Sequence, residues 1–247
     1  MYTFKSQKET MIRLFVNESL KKGELLLSPQ HIHYLYHVMR LKPGDEVEVF
    51  NGKDGGWKAA CSKKDKILEV MECIVDQPQS PKPLHLYISL FKRLDWALEK
   101  STELGITHIH PVVAQRSSIQ RINLERLRRI VQEASEQSKR YTVPEIMPLL
   151  SLKKAVLAHG AGWVAHKDPW NTPYNLDKDC SFESLWIGPE GGWSPCELQL
   201  FQNQKNLYPL CLSSLCLRTE TAVIAGLVVI QSNFEIKQNI IIKQEQN

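Results

Sequence analysis

The residues best suited to chemistry fall in two short stretches. Gly188-Pro189-Glu190-Gly191-Gly192 sets one carboxylate among three glycines, and Arg218-Thr219-Glu220 sets a guanidinium two positions from a second carboxylate. Glycine lacks a Cβ, so a run of it lets backbone groups come close to a ligand and tolerates positive φ. Together these residues suggest a pocket lined by backbone, with one acid, Glu190, beside it. Arg218 and Glu220 stand just before the apolar run "TAVIAGLVVIQ", so they lie at a helix mouth rather than in a core. A capped helix carrying a surface Arg–Glu pair is the other way to read them. Commoner chemistries lack their signatures. A phosphate-binding loop ends in Gly-Lys-Ser/Thr, whereas Gly192 is followed by Trp193. Neither the dinucleotide fingerprint Gly-x-Gly-x-x-Gly nor the hydrolase elbow Gly-x-Ser-x-Gly occurs.

Leu185-Trp186-Ile187 is a short apolar run bounded by turn residues, which suits a buried strand. Ser194-Pro195-Cys196-Glu197 reads as a capping box, with the Ser194 hydroxyl at the cap, Pro195 first in the helix and Glu197 reaching back. The glycines therefore stand at the carboxyl end of a strand and just before a helix. Open α/β sheets bind their ligands there. The same alternation runs upstream. "LHLYISLF" predicts a strand, "RLDWALEKSTELG" a helix closed by Gly105, "ITHIHPVVA" a strand, and "NLERLRRIVQEASEQSKR" a helix capped by Asn123. "GWVAHK", "SLWIG" and "LYPLCLS" add strands, and the apolar last helix must be largely buried, with a frayed tail after Phe234. Strands alternating with helices are the α/β pattern.

"DQPQSPKP", residues 76–83, holds three prolines and separates this pattern from a β-rich unit over residues 11 to 75. There "DEVEVF" and "GWKAACS" pair as a hairpin through "NGKDGG", which gives that second glycine-rich stretch a structural role. "HIHYLYHVMRL" is helical in pattern, with Ile32, Leu35, Val38 and Met39 on one side. His33 and His37 sit one helical turn apart there, but no acidic or cysteine partner is near, so no metal site is expected.

At 247 residues, 43% hydrophobic and 23% charged, the chain is that of a globular protein with ample core. No apolar run reaches the roughly 20 residues of a membrane span. "MYTFKSQKETMIRLF" has no apolar signal core, so a cytoplasmic protein is expected. The six cysteines form no Cys-x-x-Cys pair and are expected to be reduced and mostly buried. The net charge of +4 is uneven: residues 82–140 carry 11 Lys/Arg against 6 Asp/Glu, which hints at a polyanionic partner such as nucleic acid.

"LWIGPEGGWSPCEL" followed about twenty residues later by "LRTETA" resembles the SPOUT methyltransferases, and specifically the RsmE family of 16S rRNA uridine N3-methyltransferases. "EKSTELGITHIHPVVAQRS", "EASEQSKRYTVPEI", "RLF" at 13–15 and "HVMRLKPGDEVEVF" at 37–50 extend the likeness over about residues 11–232. The resemblance implies a PUA-like β-barrel that binds RNA over residues 1–77. It further implies a trefoil-knotted α/β methyltransferase domain over residues 82–235, a homodimer, and S-adenosylmethionine bound in the knot. "IGPEGG", "LCLSSLCLRTE" and "VAHKD" would be the knot loops, with His166, Ile187, Gly188, Gly192, Leu212, Cys216 and Leu217 against the cofactor. Arg218 would stabilise the charge that develops on the uracil, and Glu190 or Glu220 would orient it or accept its proton. Arg13, Arg40, Lys92, Arg93 and Arg140 would meet RNA. The chain departs from the family at Ser213, where glycine is usual and a positive φ would be strained, and at Leu215, where arginine is usual. Methylation of a ribose 2′-oxygen and RNA binding without catalysis are the alternatives.

Overall fold

The computed structural model describes residues 11–63, 66–168 and 183–245, with side chains through Ser232. It divides into two compact units. One runs up to Ser80 and takes in Ser135–Val143; the other holds Pro81–Ala134 and the chain from Pro144 onward.

In the first unit β1 (Ile12–Phe15), β2 (Gly23–Leu26), β3 (Glu46–Phe50), β4 (Gly56–Cys61) and β5 (Ile67–Val75) make one sheet in the order β1-β3-β4-β5-β2. β1 runs parallel to β3 and the other pairs are antiparallel. Alternation decides which side faces in: Val47 and Val49 are buried, and the alternating Glu46 and Glu48 are not. The β3–β4 turn is held by Asn51, whose Oδ1 accepts from Lys53 N at 3.0 Å and Asp54 N at 2.8 Å. The "NGKDGG" stretch is thus a hairpin turn. The helical stretch behaves differently. After α1 (Pro29–Ile32), capped by Ser28, the chain widens into a π turn over His33–Val38, with Met39 N donating to Tyr34 O at 2.9 Å. The wider turn rotates the following side chains out of phase with a 3.6 period. Leu35 is buried, but Val38 and Met39 are 55% and 40% exposed, so the apolar side expected from the sequence is not kept.

The second unit begins with β6 (His85–Ser89), α2 (Leu94–Glu103), β7 (His108–Val113) and α3 (Leu124–Gln137), whose last residues, from Ser135, belong to the first unit. There follow β8 (Glu145–Ile146), β9 (Leu150–Ser151), α4 (Leu152–His159), β10 (Ala161–Ala165) and β11 (Ser184–Ile187). The last elements are α5 (Pro195–Gln202), β12 (Asn206–Leu210) and α6 (Thr219–Glu245). The sheet order is β12-β10-β11-β6-β7-β8, with β9 also on β7, and every pair is parallel. Local signals work as the sequence suggested. Asn123 Oδ1 accepts from Arg126 N at 3.2 Å, and Gly105, at φ +83°, closes α2. α6 stays helical to Glu245, past the tail expected to fray, and over residues 219–232 it is largely buried as expected: Val223, Leu227 and Ile230 are inside, while Thr221, Val228 and Ser232 are exposed. Cysteines depart too. Cys61 is buried, but Cys73, Cys196, Cys211 and Cys216 are exposed and free, because they fall on a strand end, a helix rim and one loop; Cys180 lies outside the described residues. Among the described residues no helix is long and apolar enough to cross a membrane.

A column of rings crosses the middle of this sheet. Trp186 stacks on Tyr87 at 3.8 Å and Tyr87 on His110 at 4.1 Å, because β11, β6 and β7 put these residues side by side in register. His85 stacks on His108 at 4.4 Å, and its Nδ1 lies 2.9 Å from His110 Nε2. Strands about 4.8 Å apart leave just the room that offset flat rings need. His159 on α4 tilts toward His110, and Glu145 on β8 lies 3.8 Å from His108. Burial, reinforced by the neighbouring histidines, pushes His110 from 6.5 down to about 3, and burial also lowers His85. The unfolded chain therefore binds protons below pH 6.5 that the folded chain refuses until about pH 3. Stability should be level above pH 7 and fall as pH drops, by on the order of 1 kcal/mol per pH unit from His110 alone. Urea denaturation between pH 7.5 and 4.5 measures this, and His110→Phe should flatten the slope.

Candidate functional site

β12, β10, β11 and β6 are neighbours and parallel, so their carboxyl ends meet at one edge. His166 follows β10, Gly188 follows β11, Cys211 follows β12, and Lys92 and Arg93 follow β6. The connections from β10 to β11 and from β11 to β12 leave in opposite directions across the sheet, the condition under which such an edge opens a crevice. Residues far apart in sequence are thus gathered by strand direction alone.

The glycine loop is a tight turn pinned at both ends. Gly192 N donates to Pro189 O at 2.8 Å, and Gly192 sits at φ +67°, where no Cβ would meet anything within 4 Å. Ser194 and Glu197 close the expected capping box on α5. Glu197 also acts beyond its own helix, since its Oε1 accepts from Gln115 N at 2.7 Å and ties α5 to the loop after β7. Between turn and helix stands Trp193, which the sequence did not mark as functional. It is 5% exposed, meets Phe201 edge-on at 4.9 Å, and donates from Nε1 to Ala165 O at 3.3 Å. That bond joins the glycine loop to the end of β10, one residue before His166. Gly188 lies over the same indole, and a Cβ there would stand 3.0 Å from its Cε2. Glu190, at the tip, is exposed.

His166 is held by the end of β12 and by its own loop. Its N donates to Leu210 O at 3.1 Å, and its Nδ1 lies 3.1 Å from Asp168 N. Beyond Asp168, where the "VAHKD" loop ends, residues 169–182 are outside the described residues. In the loop after β12, Leu212 and Leu217 are half-buried, whereas Cys216 and Arg218 are exposed. Ser213 does not take a positive φ; its Oγ accepts from Leu215 N at 3.0 Å, so serine makes its own turn and the strain expected there is absent. Leu215 is 74% exposed. At the start of α6, Glu220 is 6% exposed and accepts from Arg93 Nη1 at 2.7 Å; Arg93 in turn lies over Trp96. One of the expected RNA contacts is thus paired with one of the expected catalytic acids.

Arg40 and Lys92 are exposed. Arg13 is not: it is 7% exposed, with Nη1 donating to Ser135 O and Glu136 O and Nη2 to Arg140 O. Its Nε lies 3.2 Å from Glu48, and its guanidinium sits 4.6 Å over Phe50 and 4.7 Å over Tyr141. The last carbonyls of a helix have no partner within it, and Arg13 supplies donors for α3. Arg140 is half-buried, which pulls its guanidinium down to about 10. Among the described residues no group of three His, Cys, Asp or Glu side chains is placed to hold a metal.

Residues 78–231 match an RNA methyltransferase domain and residues 27–70 an RNA methyltransferase PUA domain. The chain is 30% identical over 230 residues to the ribosomal RNA small subunit methyltransferase E of Rickettsia conorii, covering 89% of this chain and 94% of that one. The chain belongs to this RNA methyltransferase family. The crystal structure of the Neisseria gonorrhoeae member bound to S-adenosyl methionine superposes with a TM-score of 0.79 at 27% identity, over 90% of this chain and 98% of that one. A putative methyltransferase from Legionella pneumophila, also in complex with that cofactor, gives 0.78 at 28% identity, over 90% and 98%. The three strand-end loops and the Arg218–Glu220 cluster all lie within the matched methyltransferase domain.

The contrast between two glycines is testable by denaturation followed through tryptophan fluorescence. Gly188→Val drives a branched side chain into Trp193 and should cost about 1–3 kcal/mol, with a shifted emission maximum. Gly192→Ala meets only conformational strain and should cost about 1 kcal/mol, with the emission unchanged.

Proposed function

We propose that this chain transfers the methyl group of S-adenosylmethionine to N3 of a uridine in the 16S ribosomal RNA of the small subunit. The observation that carries this is the meeting of His166, Gly188–Gly192 and the loop before Glu220 at the carboxyl edge of three adjacent parallel strands, in a member of this family. The residues present fit the methyl donor. Leu212 and Leu217 offer apolar walls for an adenosine, Ile187 contributes its backbone at the end of β11, and the backbone at Gly192 is open to close approach. Gly188, His166 and Cys216 complete the set that would hold it. In this proposal the three loops form a trefoil knot, residues 1–77 a PUA-like barrel that binds RNA, and residues 82–235 the methyltransferase domain. The half-exposed apolar face of α6 around Val228 supports a homodimer.

When bound, S-adenosylmethionine supplies a methyl group activated on a sulfonium. Displacement at that carbon is in line, so positioning is the main demand on the protein. The uracil imide is a weak acid and must lose its proton as nitrogen attacks. Arg218, exposed just before α6, stabilises the negative charge that develops on the ring. Glu190, exposed at the tip of the glycine turn, accepts the N3 proton. Glu220 acts as an orienting group, since its buried carboxylate already holds Arg93. N3 takes part in base pairing within an RNA helix, so the target uridine is unpaired or drawn out of the stack. Arg40, Lys92 and the outer side of Arg93 meet phosphates, while Arg13 and Arg140 serve the scaffold.

Single-turnover methylation of small-subunit particles, with mass mapping of the modified nucleotide, tests this. The unsubstituted protein should place one methyl on a uracil base. Arg218→Ala should slow the step on the order of a hundred- to a thousandfold at saturating RNA and cofactor, with cofactor affinity unchanged. Methyl found on ribose, or a near-normal rate in Arg218→Ala, would contradict the proposal.

A further inference from the structure

The glycine loop is held from outside by a residue of the β7–α3 loop, which is none of the three strand-end loops assigned to the cofactor. Arg116 Nη1 donates to Gly191 O at 2.9 Å and lies 3.4 Å from Trp193 O. These carbonyls flank Gly192, the residue at positive φ on which the turn depends. The contact is steric as well as polar. A Cβ on Gly191 would stand 3.3 Å from Arg116 Cβ and 3.4 Å from its Cδ, so the turn rests on the aliphatic stem of the arginine. The neighbouring Gln115 N, bonded to Glu197, fixes the base of this arm to α5. Two adjacent residues therefore tie this arm to the glycine turn and to the helix that follows it.

We infer that Arg116 is a positioning residue: it holds the Gly188–Gly192 turn in the shape that binds the methyl donor, without touching donor or RNA. This rests on the assignment of that turn to S-adenosylmethionine. The physical reason is preorganisation. A turn built on glycine has many shapes open to it when unbound, and a loop that must be ordered on binding loses affinity. Donors to two carbonyls on either side of the flexible residue remove that freedom beforehand. Both bonds leave the single nitrogen Nη1, so lysine, with a comparable stem and its donors on one nitrogen, can replace part of the packing and of the bonding.

Two measurements on the full chain decide it: hydrogen exchange of the amides over residues 188–194 without ligand, and calorimetric titration with S-adenosylmethionine. Arg116 is exposed, so Arg116→Ala should leave the thermal midpoint nearly unchanged. Exchange in the turn should become faster, and the Kd for S-adenosylmethionine should rise about tenfold. RNA affinity and its salt dependence should not change, which separates a brace from a phosphate contact. Arg116→Lys should recover part of both effects. Unchanged exchange in the turn, or unchanged Kd despite faster exchange, would overturn the inference, as would weakened RNA binding. If the unsubstituted protein bound no S-adenosylmethionine, the assignment of the turn to the cofactor would fall and the positioning role with it. The exchange data would then still show whether the brace itself exists.

Discussion

The whole site depends on β10 pairing in parallel with both β11 and β12. Parallel pairing sends every carboxyl end to the same edge, and the central strand then has a loop on either side of its own. Nothing else needs to bring His166, Gly188 and Leu212 together. The register is kept by burial on both faces: Trp163, Val164, Leu185, Trp186 and Ile187 are all inside, so a slip of one residue would exchange two packed surfaces at once.

Given that edge, the remaining problem is to hold three irregular loops still. The structure does this with few side chains. Trp193 fills the space beneath Gly188 and bonds to the end of β10, so an indole couples two of the loops. The Arg93–Glu220 pair couples the loop after β6 to the start of α6. Glu197 serves a helix cap and a tie to Gln115 with one carboxylate. Each of these bonds ends on backbone or on a buried partner, which makes them positional rather than reactive. Arg218 and Glu190 stay exposed.

Much of this was legible in the sequence where the cause is local. The Ser194 capping box, the Gly105 helix end, the Asn123 cap and the Asn51 hairpin turn depend on residues within a few positions of one another. The α/β alternation and the glycine turn at a strand end came from the same kind of signal. Less local facts were not legible. The burial of Arg13 beneath the end of α3 joins residues more than a hundred positions apart, and a lone basic residue in a strand looks like any solvent-facing charge. The ring column of Trp186, Tyr87 and His110 needs the strand order before its members are neighbours. The π turn at His33–Val38 shifts a helical period by one residue, which no apolar pattern announces in advance. At Ser213 the sequence warned of strain that the serine hydroxyl removes by closing its own turn.

The most direct measurement of whether this edge is the methyl-donor site is hydrogen exchange of the full chain with and without S-adenosylmethionine. Slower exchange should appear in peptides covering residues 164–168, 186–193 and 210–220, all at the carboxyl ends of β10, β11 and β12. The first unit and the amino-terminal ends of the strands, where His85 and His108 lie, should exchange as before. Protection centred on those regions, with the three strand-end loops unaffected, would contradict the assignment.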